Sequence, residues 1–161
     1  MHHGGYPQGG SAAFLLAQLG FAAARRFAER LAPLDLEPRH VGLLRMVAGA
    51  EGQSQQAIGE RMRIAPSRMV AFVDDLEQRG LVQRRRNPAD RRAYALYLTD
   101  RGRDLLETAL AEAATHDAEV TAPLTEEERT RLHELLTKLA GAQDLERHRF
   151  PGGHPRATRE C

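Results

Sequence analysis

Cysteine occurs once in this 161-residue chain, as Cys161 at the very end, so no internal disulfide framework and no multi-cysteine metal site can form. A thiol on such a tail, with no fixed electropositive neighbours, reads as inert rather than as a redox switch. No apolar run approaches the roughly 18 to 20 residues that cross a bilayer. The opening MHHGGYPQGG has neither the charged start nor the apolar stretch of a secretory leader, which leads to the expectation of a cytoplasmic protein. The seven histidines are scattered, with His2 and His3 near the start and His116 and His133 on different expected helices, so no metal site is expected. A nucleophile elbow, a phosphate loop and paired catalytic carboxylates at a recognisable spacing are also lacking, so neither an enzyme nor a cofactor is expected.

Lysine is nearly missing too: Lys138 is the only one among 23 basic residues. The formal net charge is only +1, but its distribution is uneven. Residues 1–60 balance, with five basic and five acidic groups. Residues 61–103 hold eleven arginines against five carboxylates, whereas residues 104–147 hold four basic groups against eleven acidic ones. One segment is suited to a polyanion, and the acidic one is explained by the solvated faces of amphipathic helices. With 42% hydrophobic residues the chain can build one ordinary core or two small lobes.

Apolar periodicity predicts mostly helix. Ser11 caps a first helix carrying Leu16, Leu19, Ala23, Phe27 and Leu31 and ending near Pro33. Pro38 opens a second, with Val41, Leu44 and Val47 inward and Gly49 or Gly52 closing it. Ser54 caps a short third with Ala57, Ile58 and Met62 inward. Pro66 starts a fourth, with Met69, Val70, Val73 and Leu76 inward and Gly80 in the left-handed position that ends it. A β-hairpin follows over 81–86 and 91–98, then a long helix from Thr99 with Leu106, Ala109, Leu110, Ala113 and Val120 as its stripe, stopped by Pro123. Thr125 and Glu128 form a capping box for the last helix, whose stripe is Leu132, Leu135, Leu136 and Leu139. The expected fold class is mostly α with a small two- to three-stranded β-wing. A tail over 1–10 and another over 146–161 flank a winged helix-turn-helix over 36–103 and a helical dimerisation region over 11–35 and 104–145.

A tight helix pair followed at once by a basic hairpin suits double-stranded DNA, because one helix fits the major groove while the hairpin straddles the neighbouring backbone. Pro66, Ser67 and Arg68 stand at the tip of the fourth helix, with Ser54, Arg61 and Arg63 close to phosphates. The hairpin brings Arg84, Arg85, Arg86, Asn87, Asp90, Arg91 and Arg92, and arginines at its end can enter a narrow minor groove. The stretch IAPSRMVAFVDDLEQRGLVQRRRNPADRRAYALYLTDRGR, residues 64–103, resembles the recognition helix and wing of MarR-type transcriptional regulators. It includes Asp90-x-Arg92 and Leu98-Thr-x-x-Gly102, and GQSQQAIGERM and the Leu36-Glu37-Pro38-Arg39 entry upstream fit as well, so the resemblance covers residues 11–140.

The resemblance implies a homodimer interlocked through its first and last helices, with Leu16, Leu19, Leu132, Leu135, Leu136 and Leu139 at the contact, on an inverted-repeat operator. It implies that Arg92 enters the minor groove and Asp90 holds it, and that a small aromatic or phenolic ligand binds near Arg39 and His40. The other reading of His40 is a partly buried interface residue without a ligand. The chain departs from the family at Arg63, where glycine is common, so that turn must avoid positive φ or accept strain. It departs again at Ala65, a cap position without a side-chain acceptor, and at Arg68, in place of a smaller polar residue. The rival reading of the whole chain is a winged-helix protein-interaction module without sequence-specific DNA binding.

Overall fold

The computed structural model describes residues 10–86 and 94–142. Asn87, Asp90, Arg91, Arg92 and Cys161 lie outside the described residues. The elements follow the expected order: α1 Ala12–Leu31, a 3₁₀ turn Ala32–Leu34, α2 Pro38–Ala48, α3 Gln55–Arg61, α4 Pro66–Gln78, β1 Val82–Arg86, β2 Tyr94–Leu98, α5 Asp100–Val120 and α6 Glu126–Ala142. The strands pair antiparallel, from Val82 opposite Leu98 to Arg86 opposite Tyr94. A third, minimal edge comes from the segment before α3: Gly52 donates to the Leu96 carbonyl at 3.0 Å, and Leu96 donates back to Gln53 at 3.0 Å.

The caps are those the residue types require. Ser11 Oγ accepts from Phe14 N–H at 3.3 Å and Ser54 Oγ from Ala57 N–H at 3.1 Å. Thr125 Oγ1 and the Glu128 carboxylate exchange bonds with each other's backbone N–H at 3.3 and 2.8 Å, closing the box at the start of α6. Gly80 takes φ +69° after α4, and Leu81 N–H reaches back to the Leu76 carbonyl at 2.8 Å.

One core joins α1, α2, α3, α4, the hairpin and α5, with Leu31, Leu44, Val47, Ile58, Val73, Leu76 and Leu96 fully buried. Each such side chain contributes about 1.5–3 kcal/mol of burial. α1 and α2 both pack on α5, and α2 also backs β2. Arg103 fastens the hairpin base: its guanidinium meets Glu51 at 2.6 Å and the Leu98 carbonyl at 3.1 Å, while Leu98 N–H donates to the same carboxylate at 3.2 Å.

Several expected core positions lie outside this core. Val70, Leu110 and Val120, read as inward, are exposed. A 21-residue helix is roughly 31 Å long, and α5 buries Gly102, Leu106 and Ala109, with Ala113 still against the core; Leu110, a turn short of Ala113, is exposed because it faces away from that stripe, and Val120 lies at the far end of the helix. In α1 only Phe27 and Leu31 are buried, leaving Phe14, Leu15, Leu16, Leu19 and Phe21 exposed along its first half. α6 has no buried residue at all, and Leu132, Leu135, Leu136 and Leu139 are between 38% and 51% exposed.

The start of α5 lies so close to the end of α4 that only glycine fits. A Cβ at Gly102 would stand 2.0 Å from the Leu81 carbonyl oxygen, which itself accepts from Thr99 N–H at 3.1 Å. Gly102→Ala must push α5 away from the hairpin base and is expected to cost about 1–3 kcal/mol or more, read as a lower midpoint in urea unfolding.

Candidate nucleic-acid interface and adjoining cleft

The tip of α4 is open. Ala65 supplies no side-chain cap, as its residue type requires, and Pro66 occupies the first helical position, where its missing N–H costs nothing. Pro66, Ser67 and Arg68 are exposed, as are Arg61 and Arg63. Arg63 adopts φ +51°, so the turn does accept a left-handed non-glycine residue, held by Arg63 N–H to Glu60 O at 3.0 Å and Ile64 N–H to Gly59 O at 2.9 Å. Arg61 donates to Gln53 at 3.1 Å. Ser54 is occupied as the α3 cap.

The three β1 arginines do different things. Arg85 and Arg86 are exposed, and the Arg85 guanidinium lies 4.5 Å from the centre of the Tyr97 ring. Arg84 points inward. Strand alternation places it on the same face as buried Val82, opposite Leu96. Its side chain is only 16% exposed and meets Asp74 at 2.6 Å, Glu77 at 2.7 Å and Gln55 at 2.9 Å. From the sequence Arg84 counts among the DNA-contacting residues that the hairpin brings; in the structure the Asp74 and Glu77 carboxylates of α4 draw its side chain inward.

Beside α4, on the side away from β1, lies an open cleft of about 510 Å³ between α1, α2 and α4, lined by Ala28, Leu36, Arg39, His40, Phe72 and Asp75 among others. Arg39 spans it, 5.0 Å over the Phe72 ring and 2.7 Å from Glu37. His40 is buried, edge-on to Phe72 at 6.4 Å. Its Nδ1 accepts from Glu37 N–H at 3.1 Å, so the neutral ring carries its proton on Nε2, which faces Asp75 at 3.7 Å. Arg79 holds the far wall, donating to the Asp35 carbonyl at 2.5 Å and lying 3.5 Å from Asp75. Phe72, Asp75 and Arg79 escaped the sequence reading, although with Arg68 they recur at i, i+4, i+7 and i+11 and so share one stripe of α4.

The MarR family model matches residues 34–93, which take in α2, α3, α4 and β1 and stop just before β2. A protein of Thauera aromatica, named for regulation of the hcr operon, is 33% identical over 81% of this chain and 79% of its own. The chain belongs to the MarR family of transcriptional regulators. Its fold matches solved structures of MarR-like proteins along most of its length. The repressor CouR, solved bound to a 23-mer DNA duplex, is 32% identical with a TM-score of 0.74, covering 81% of this chain and 92% of that one. A MarR family protein of Mycobacterium tuberculosis, solved with salicylic acid, is 28% identical with a TM-score of 0.65, covering 82% of this chain and 98% of that one. Among the described residues of this MarR family chain, no helix is long and apolar enough to cross a membrane.

Burial lowers the His40 pKa from its ordinary 6.5, outweighing the pull of the Glu37 and Asp75 carboxylates, while Arg39 and Arg79 push the same way as burial. Because the folded pKa lies below the unfolded one, the unfolded chain takes up a proton first as pH falls. Stability should therefore decline as pH drops below about 6.5. In His40→Gln, which keeps an acceptor for Glu37 N–H, that part of the decline should vanish when urea midpoints are compared at successive pH values.

Proposed function

We propose that two copies of this chain read an inverted-repeat duplex, each placing the tip of α4 in the major groove and its hairpin over the adjacent minor groove. The observation that carries the reading is the open α4 tip, where Pro66, Ser67 and Arg68 project with Arg61 nearby and Arg85 and Arg86 on the neighbouring strand. A guanidinium at position 68 can grip guanine O6 and N7, while the surrounding arginines hold phosphates. Asn87, Asp90, Arg91 and Arg92 are assigned the minor-groove contact on the family resemblance. The exposed leucine faces of α1 and α6 support the dimer, since a second copy covers them in both subunits at once. The chain acts by binding rather than by catalysis, and a chromosomal target places it in the cytoplasm.

The cleft supports a regulatory ligand: a planar aromatic carboxylate, with Phe72 against the ring and Arg39, released from Glu37, on the carboxylate. Because Phe72 and Arg68 share a stripe of α4, an occupant pressing on Phe72 moves the reading tip, and it lowers DNA affinity to the extent that it prefers the displaced state. The CouR repressor with its DNA and the salicylate-bound relative support both halves of this reading.

Arg68→Ala is expected to cost about 1–3 kcal/mol at one base pair of each half-site and to relax preference there. Selection of duplexes from a random pool, with wild type and variant in parallel, checks this, and an unchanged preference counts against the α4 tip. Leu135→Glu combined with Leu139→Glu should yield single subunits in sedimentation and lower duplex affinity about 100-fold or more. A variant that stays dimeric places the subunit contact elsewhere.

A further inference from the structure

We propose that Arg84 is a positioning residue for DNA reading: it touches no phosphate or base, and locks the hairpin to the recognition helix so that both meet the duplex at one spacing. This rests on the duplex reading above and assigns Arg84 a different task from its neighbours. Five contacts converge on it. Glu77 takes both the Arg84 backbone N–H, at 2.9 Å, and Nη1, at 2.7 Å. Asp74 lies 2.6 Å from Nη2, and the Val70 carbonyl accepts from the same nitrogen at 3.4 Å. Gln55, in the first turn of α3, accepts from Nε at 2.9 Å. One guanidinium thus joins α3, α4 and β1.

The three α4 groups lie at i, i+4 and i+7, a single edge of the helix opposed to the strand. The planar fork of arginine can satisfy several acceptors with fixed directions, which a lysine ammonium cannot do. Nearly all of its donors are therefore committed inside the protein, and two carboxylates offset the charge that a phosphate would need. Arg85 and Arg86, on the same strand and exposed, are the ones left to meet DNA. A shift of the hairpin against α4 would misplace groove and backbone contacts together, although no contact residue had changed.

The neighbouring carboxylates make the proposal separable from a phosphate contact. If Arg84 gripped a phosphate, removing Asp74, which is more than half exposed beside the proposed polyanion, would tighten binding. If Arg84 is a clamp, removing Asp74 loosens it and weakens binding. The experiment uses the full chain and the duplex it enriches from a random pool, with a scrambled duplex as control. Affinities are measured at several salt concentrations well below the melting transition. For Arg84→Met and for Asp74→Asn the expected result is a loss of enriched-duplex affinity, on the order of tenfold for the first, with the slope of affinity against salt unchanged. Arg84→Lys should restore little.

The overturning result is a salt slope reduced by about one, equal weakening on both duplexes for Arg84→Met, and tighter binding for Asp74→Asn. Should Arg84→Met fail to fold, the sign of the Asp74→Asn effect alone decides. A wild-type protein that prefers no duplex defeats the duplex reading itself, and the positioning role with it. A wild type that prefers one duplex but shows the overturning pattern defeats only the role of Arg84.

Discussion

The Arg84 guanidinium is the point on which the reading surface turns. Around it α3, α4 and β1 meet through charge-assisted bonds, in a place where an apolar side chain would leave the Asp74 and Glu77 carboxylates without their partner. Desolvating an arginine is costly, and the burial here is only partial: Asp74 is 57% and Glu77 38% exposed, so water still reaches the acids while the fork itself is nearly enclosed. Such an arrangement adds less to stability than to geometry. The apolar core of Ile58, Met69, Val73 and Leu76 stabilises the helix pair, and the ionic edge sets where the hairpin lies against it.

The recognition helix is consequently committed on several sides. One face enters the core, one edge holds Arg84, the tip is open, and Phe72, Asp75 and Arg79, on the stripe that Arg68 begins, border the cleft. In the proposed regulation a helix fixed in this manner would move as a body, so that pressure in the cleft would reach the tip without any contiguous chain of polar contacts. The close approach of Gly102 to Leu81 and the Arg103–Glu51 pair root the base of the hairpin in α5 and in the segment before α3. The helix pair and hairpin proposed to face DNA are thereby connected to α5, which runs on to α6 and packs against α1.

Much of this was legible in the residues. Ser11, Ser54, Pro66, Gly80 and the Thr125–Glu128 box marked element ends because caps and left-handed positions are local chemistry, and the structure places each as read. Burial was harder. A helical stripe fixes neither its own width nor how far along the helix the lobe extends, so Leu110 was misplaced at the edge of the buried stripe of α5, Val120 at the far end of that helix, and Val70 by its place on the edge toward β1. The inward turn of Arg84 could have been inferred from alternation with Val82, but three consecutive arginines drew a single interpretation from charge alone. The cleft depends on α1, α2 and α4 meeting at a distance in sequence, and only the Arg39–His40 wall of it was visible beforehand. Asn87, Asp90, Arg91 and Arg92 rest where the sequence left them.

The central claim is that two identical reading tips engage one duplex at the spacing of its groove. Hydroxyl-radical cleavage of the bound, enriched duplex tests this directly. Two protected patches related by a dyad, their centres about one helical turn or 34–36 Å apart, are the predicted pattern. A single protected patch, or protection spread evenly along the backbone, would contradict it.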